Sequence, residues 1–192
     1  MSDAVSRFPV TELEDLPDDL RERVGVIAEK SGFTPNIFRA LGHRPAELRA
    51  FLDYHDALME RSDGLSKAER ELVVVATSGA NHCTYCVVAH GAILRIRAKD
   101  PELADRVSSN PWQVELDERG RAIVDLALAL AQDSALFGEG DLEAARNAGL
   151  TDDEIWDVGA ITALFAMSNR LAHLTALRPN PEFYLLGRVS RY

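Results

Sequence analysis

The chain has two cysteines, both in the stretch Asn81-His82-Cys83-Thr84-Tyr85-Cys86-Val87-Val88-Ala89-His90. They form a C-x-x-C pair, and a histidine follows the second cysteine by four positions. On a helix, residues three and four apart share a face. Cys83, Cys86 and His90 are therefore expected to point the same way. A dithiol with an imidazole on its own face suits nucleophilic redox chemistry, because the thiolate is the reactive form and a nearby base raises its fraction. Upstream, Glu71 lies in another helical run, 66–80. If the two runs fold back as a helical hairpin, Glu71 faces the thiols. One carboxylate, two thiols and one imidazole then converge.

Two other readings use the same residues. A C-x-x-C is half of many zinc sites, but a structural zinc needs four ligands. The chain has no second C-x-x-C and no H-x-x-x-H. That leaves a mixed zinc site of Cys83, Cys86, His90 and Glu71. Alternatively the cysteines are inert, since a free Cys packs as a small hydrophobe. The joint spacing of two thiols and a helical imidazole favours redox use over both.

The elements that must position these groups read almost entirely as helix. Positions 1–16 form a polar N-terminal arm. Pro17-Asp18-Asp19 opens a helix with the apolar stripe Leu20, Val24, Ile27 and Ala28, stopped by Ser31-Gly32. Thr34-Pro35 reads as N-cap and first-turn Pro of a short helix through Phe38 and Leu41, ended by Gly42. Pro45 opens a longer helix carrying Leu48, Phe51, Leu52, His55 and Leu58, and Asp63-Gly64 is a turn.

Ser66-Lys67-Ala68-Glu69 is a capping box that opens the Glu71 helix. Its Val73-Val74-Val75-Ala76 run is apolar on nearly every side, as in a helix buried all round. Valines alone also fit a strand; the cap and the length favour helix. A carboxylate in such a helix must be paired or held protonated. Ser78-Gly79-Ala80-Asn81 breaks the pattern, and the cysteine helix follows through Leu94 to Ala98 with Cys83 in its first turn.

Asp100-Pro101 starts a short helix, and 108–111 is a loop. Positions 117–132 form an amphipathic helix with Ile123, Leu126, Ala127 and Leu130. A turn at 137–140 precedes a short helix at 141–148, ended by Gly149. Thr151-Asp152-Asp153-Glu154 is a second capping box, opening an apolar helix through Phe165 to Asn169-Arg170; from 178 the tail is irregular. Leu65-Ser66-x-x-Glu69 and Leu150-Thr151-x-x-Glu154 hint at a duplicated helical unit. The fold class is all-α, in one domain over 1–192. It divides into the arm 1–16, N-terminal helices 17–62, a redox core 63–175 and a tail 176–192. A thioredoxin fold would instead show a βαβ pattern around the C-x-x-C.

Composition narrows the partners. Hydrophobic residues make up 46% and charged ones 27%, as in ordinary globular proteins. Lys and Arg total 21 against 31 Asp and Glu, a net charge of −10. With no basic cluster, neither nucleic acid nor an anionic membrane is an expected partner. No run spans a bilayer, and positions 1–12 lack a signal-peptide core, so a cytoplasmic location is expected. In that compartment a single C-x-x-C reads as redox-active rather than as a staple. No G-x-G-x-x-G or P-loop is present.

Glu71, eleven intervening residues, Cys83-x-x-Cys86, three more and His90 together resemble the signature of the alkylhydroperoxidase D / carboxymuconolactone decarboxylase superfamily. The stretches 33–41, 65–72, 81–90 and 165–170 are similar to its bacterial peroxidase-related proteins. The resemblance implies an all-helical fold, assembly into homo-oligomers, and antioxidant, thiol-dependent reduction of hydroperoxides. It assigns Cys86 as the peroxidatic thiol, which passes through a sulfenic acid. Cys83 would donate a proton and then resolve it as a disulfide. Glu71 and His90 would relay protons. The cofactor would be the redox-active Cys83–Cys86 disulfide alone, and a dithiol or thioredoxin-like donor would supply electrons. Superfamily decarboxylases lack the cysteine pair, which disfavours decarboxylation.

One position departs from the pattern. The alkylhydroperoxidases carry a second relay histidine directly before the second cysteine, where this chain has Tyr85. A phenol hydrogen-bonds but is a poor base at neutral pH, so a shorter or water-bridged relay and weaker activity are expected. Residue chemistry and resemblance also pull apart on the attacking thiol. The helix start favours Cys83 as the more acidic group, while the i,i+4 imidazole favours Cys86. We take Cys86, because activation needs a base within hydrogen-bond reach.

His82 adjoins the motif as a substitute relay or, more simply, a solvent-facing residue. His55 reads as a packed core residue, and His43 and His173 as surface or capping residues. Trp112 and Trp156 read as core or interface anchors. Asn169 and Arg170 either end a helix or stand beside the active site or a subunit contact.

Overall fold

A buried all-apolar run flanked by polar residues dictates the centre of this molecule. The computed structural model describes residues 4–188. Among them are nine α-helices and no strand, so the all-α reading holds. No described helix is long and apolar enough to cross a membrane. Helix α4 (Lys67–Ala80) is the axis, and the valine run is helix. Its capping box is closed: the Glu69 amide donates to Ser66 Oγ, and the Ser66 amide donates to the Glu69 carboxylate at 2.6 Å. Every residue from Arg70 to Ser78 is buried. Val73 and Val74 pack with Ile123, Val158, Ile161 and Phe165. Leu72, Val75 and Ala76 pack the other way, with Leu94, Val107 and Val124.

The elements surrounding α4 are α5 (Thr84–Ala98), α6 (Leu103–Ser109), α7 (Glu118–Asp133) and α9 (Asp152–Thr175). Helix α8 (Glu139–Asn147) lies against α7. The second capping box is also closed, with Glu154 N donating to Thr151 Oγ1 and Thr151 N donating to the Glu154 carboxylate. Arg119 on α7 joins the two boxes, donating to Glu69 and to Glu154 at 2.6 Å each. That guanidinium holds the Glu154 carboxyl down at about 2. The hint of a duplicated unit thus corresponds to two like helix starts gathered on one cation.

Helices α1 (Asp18–Ser31), α2 (Asn36–Leu41) and α3 (Pro45–Met59) build their own cluster around Leu20, Val24, Leu48 and Leu52. Helix α2 then ties the tail to the core. Asn36 N donates to Asn180 Oδ1 (2.8 Å), Asn36 Nδ2 to the Arg178 carbonyl, and Asn180 Nδ2 to the Thr34 carbonyl. The described part of the tail, up to 188, is irregular as expected apart from a 3-10 turn at Pro181–Tyr184, and these bonds hold it to α2; positions 189–192 lie outside the described residues. The arm is strapped down as well, with Arg7 N donating to Thr175 O and Arg178 N to Val5 O.

Several boundaries differ from expectation for local reasons. Pro35, not Thr34, flanks α2, because its extended ψ of 131 precedes the first helical residue. Ser108 and Ser109 belong to α6. Glu139 and Gly140 are helical, since Gly138 N donates to Asp141 and caps α8 early. Helix α9 runs past Arg170 to Thr175. Trp112 and Trp156 face outward at 64% and 75% exposure, so neither is a core anchor. His55 is partly buried, between Phe51 and Phe165.

The most demanding group in the core is Arg70, fully buried. Its guanidinium donates to Leu58 O (2.7 Å), Asp63 O (2.6 Å) and Asp157 Oδ2 (3.1 Å). Gly64, at φ +69, makes the turn that presents the Asp63 carbonyl. Asp157 also accepts from Arg61 (2.9 Å), which is half-buried. Removing one partner of a buried pair leaves an uncompensated charge. Asp157→Ala should lose about 3–5 kcal/mol of unfolding free energy in denaturant titration. Arg61→Ala should lose much less, since an exposed ion pair contributes little. Equal losses would mean that Arg70 does not depend on Asp157.

Candidate active site

Helix α4 ends at Ala80 and α5 begins at Thr84, so the connection is tight. Gly79, in the last turn of α4, lets α6 pack close: a Cβ there would sit 3.0 Å from the Ser108 backbone. His82 takes a left-handed φ of +53 and faces solvent. Cys83 N then donates to Ser78 O at 2.9 Å. Cys83 is consequently the N-cap residue of α5, with φ −88 and ψ 94, and does not lie in the first turn.

Both thiols are free and 1% exposed, and the cysteines stand 3.6 Å apart. Cys83 is held down at about 6, chiefly by the thiol–thiol hydrogen bond with Cys86 and against the cost of burial. The Cys86 amide, the His173 charge and the Asn169 side chain add to this. The Cys86 amide closes no regular capping bond on the sulfur, so its effect is that of a nearby dipole. Cys86 is pushed well up by the same thiol–thiol bond and by burial. Two sulfurs this close cannot both ionise readily, so one proton serves the pair and the charge rests on Cys83. The lowered group is the one the helix-start argument favours, but its first cause is the bond from the Cys86 thiol.

The second pair of groups is Glu71 and His90. His90 Nδ1 and Glu71 Oε2 are 2.8 Å apart, joining α4 to α5 as the hairpin argument anticipated. Glu71 is 5% exposed, and its partner is this imidazole, not an arginine. Phe165 packs edge-on against the His90 ring with centroids 4.6 Å apart. No hydrogen bond joins His90 or Glu71 to either sulfur among the described residues. The direct His90–Cys86 hydrogen bond expected from i,i+4 spacing is thus not among the bonds of the described residues, and Nδ1 pairs with Glu71.

Neither auxiliary residue joins the thiols by a hydrogen bond. The Tyr85 hydroxyl accepts from Ile37 N at 3.0 Å, and burial pushes its ionisation far up, so it braces α5 against α2. His82 is exposed. The mixed zinc site is not formed either: no cluster of three or more His, Cys, Asp and Glu side chains converges on a metal position among the described residues.

Helix α9 supplies what sequence reasoning largely missed. Ser168 Oγ lies 3.9 Å from Cys86 Sγ. Asn169 is completely buried, donating to Ser78 Oγ at 3.1 Å and accepting from Asn81 Nδ2 at 3.0 Å. His173 Nε2 lies 3.0 Å from the Asn81 carbonyl. The available signal was positional: Ile161, Phe165, Ser168, Asn169 and Ala172 follow one buried helical stripe, and two of them are polar. Asn169 is buried at this end of α9, whereas Arg170 is exposed and its side chain bonds the Ala166 carbonyl.

Residues 45–108 match the carboxymuconolactone decarboxylase family. Two solved structures align with nearly the whole chain. An alkylhydroperoxidase AhpD core, an uncharacterized peroxidase-related protein from Ralstonia eutropha JMP134, is 52% identical with a TM-score of 0.96, over 99% of this chain and 100% of that one. An uncharacterized peroxidase-related protein from Silicibacter sp. TM1040 is 35% identical with a TM-score of 0.89, over 97% and 100%. The debrominase Bmp8 shares the fold at 16% identity and a TM-score of 0.75, over 97% of each chain. No curated protein matches.

The charge distribution gives a direct expectation. Thiolate absorbance in the ultraviolet should rise by one thiolate with a midpoint near pH 6, where Cys83 ionises. Below that pH the dithiol is protonated and unreactive; above it the anion is present. A midpoint near the ordinary thiol value of about 8.5 would contradict the placement of the anion.

Proposed function

Because this chain belongs to the carboxymuconolactone decarboxylase family, in its alkylhydroperoxidase D-like branch, we propose that it reduces hydroperoxides with the Cys83–Cys86 dithiol. The observation that carries this reading is the pair of free, buried cysteines 3.6 Å apart, on the same helical hairpin as the Glu71–His90 pair.

In the proposed cycle the Cys86 proton moves to the Cys83 sulfur. The Cys86 thiolate attacks the terminal oxygen of the hydroperoxide, forming an S–O bond and breaking the O–O bond. The departing alkoxide takes the proton from Cys83 and leaves as the alcohol. Cys83 then displaces hydroxide from the Cys86 sulfenic acid, and the S–S bond forms. The hydroxide takes a proton through the Glu71–His90 pair and leaves as water. Two electrons from a dithiol or thioredoxin-like donor restore the thiols.

A second reading reverses the sulfurs. The resting anion on Cys83 favours it as the attacking group. Trapping of sulfenic acid in single variants separates the two. Under the proposed order, Cys83→Ser accumulates sulfenic acid on Cys86 after one equivalent of peroxide, and Cys86→Ser accumulates little. The opposite pattern assigns attack to Cys83. If the wild-type chain consumes no hydroperoxide in the presence of a dithiol reductant, the peroxidase reading fails altogether.

The proton path has its own test. Glu71→Gln is nearly isosteric, so the fold should survive. Losing an acid–base partner should slow peroxide consumption by about 10²-fold or more. A variant with a lowered melting temperature but an unchanged rate would make Glu71 structural.

A further inference from the structure

Burial of the dithiol creates a need that the peroxidase motif itself does not meet. A thiolate removed from water requires hydrogen-bond donors. Among the described residues no hydrogen bond joins Tyr85, which accepts from Ile37 N, or His90, which pairs with Glu71 through Nδ1, to either sulfur. The donors next to the sulfurs come instead from α9. Ser168 is 3% exposed and Asn169 is 0% exposed. A side-chain amide carries one acceptor and two donors. For Asn169, Asn81 occupies the acceptor and Ser78 takes one donor. These two bonds fix which way the amide faces. The second N–H finds no oxygen acceptor among the described residues. Ser78, which Asn169 binds, accepts from Cys83 N at 2.9 Å, and Ser168, its neighbour on α9, has Oγ 3.9 Å from Cys86 Sγ, so the amide stands beside the dithiol. A buried donor without a partner is costly, and so is a buried anion without donors.

We propose that Asn169, clamped by Ser78 and Asn81, is the positioning residue that holds the dithiol anion, and that α9 thereby provides the polar group missing at Tyr85. The inference rests on the redox reading of the same site and adds to it a residue outside the C-x-x-C helix. The other titratable groups around the dithiol are Tyr85 on α5, His173 on α9, and the Glu71–His90 pair that joins α4 to α5 one turn beyond Cys86. Asn169 carries no ionisable group of its own, so replacing it adds or removes no charge at the site.

The test is an ultraviolet thiolate titration of the full chain. Asn169→Leu keeps the branched shape and removes the amide. Its midpoint should move upward by about one pH unit, tenfold in the thiolate equilibrium. Asn81→Ala, at a partly exposed turn, leaves Asn169 in place but unclamped, and should move the midpoint upward by a smaller amount. A folded Asn169→Leu chain with the wild-type midpoint overturns the proposal. If that variant does not fold, an unmoved midpoint in Asn81→Ala overturns it. The titration uses no peroxide, so this failure is distinct from failure of the peroxidase reading, which peroxide consumption by the wild-type chain reports.

Discussion

Helix α4 turns no face to water between Arg70 and Ser78. A buried polar group needs a partner, and this stretch contains Arg70, Glu71, Thr77 and Ser78. Each finds one: Asp157, His90, Thr162 and Asn169. Three of the four partners lie on α9. Their order rises with the order along α4, so the two helices run in the same direction and their register is fixed by polar contacts at both ends. The same requirement that stabilises the core therefore places Ser168 and Asn169 beside the thiols. Site and core are one hydrogen-bonded system around α4.

Much of this was legible in the sequence because the signals were local. The two capping boxes, the valine run and the carboxylate–imidazole spacing all act through contacts along one helix or across one hairpin. What escaped depended on tertiary placement. Nothing near Asn169 says which helix its stripe will meet. Cys83 was displaced from first turn to N-cap by a left-handed His82, a conformation usually signalled by Gly or Asn. The tail's attachment escaped because it comes from Asn36 and Asn180, 144 residues apart.

The two thiols differ because their neighbours differ. Cys83 sits at a helix start, near amide dipoles and the His173 charge. Cys86 lies one turn further in, where it donates to Cys83 and pays desolvation without a compensating cation. The imidazole that the spacing places on its face is turned to Glu71. The carboxylate–imidazole pair is thus not among the causes that divide the charge between the two thiols.

Arg119 explains why this asymmetry is held in place. It binds the caps of α4 and α9 at their shared end, so neither helix can shift along the other without breaking a charged hydrogen bond. At the far end, the clamp of Ser78, Asn169 and Asn81 performs the same service within the apolar cluster that encloses both sulfurs. That cluster, built from Ala40, Tyr85, Ala89, Ala172, Leu177 and Phe183, excludes water from the thiols. Exclusion raises the cost of an anion and strengthens each remaining dipole. A site of this kind depends on a few fixed donors, and a displacement of α9 by a fraction of a turn would remove them together.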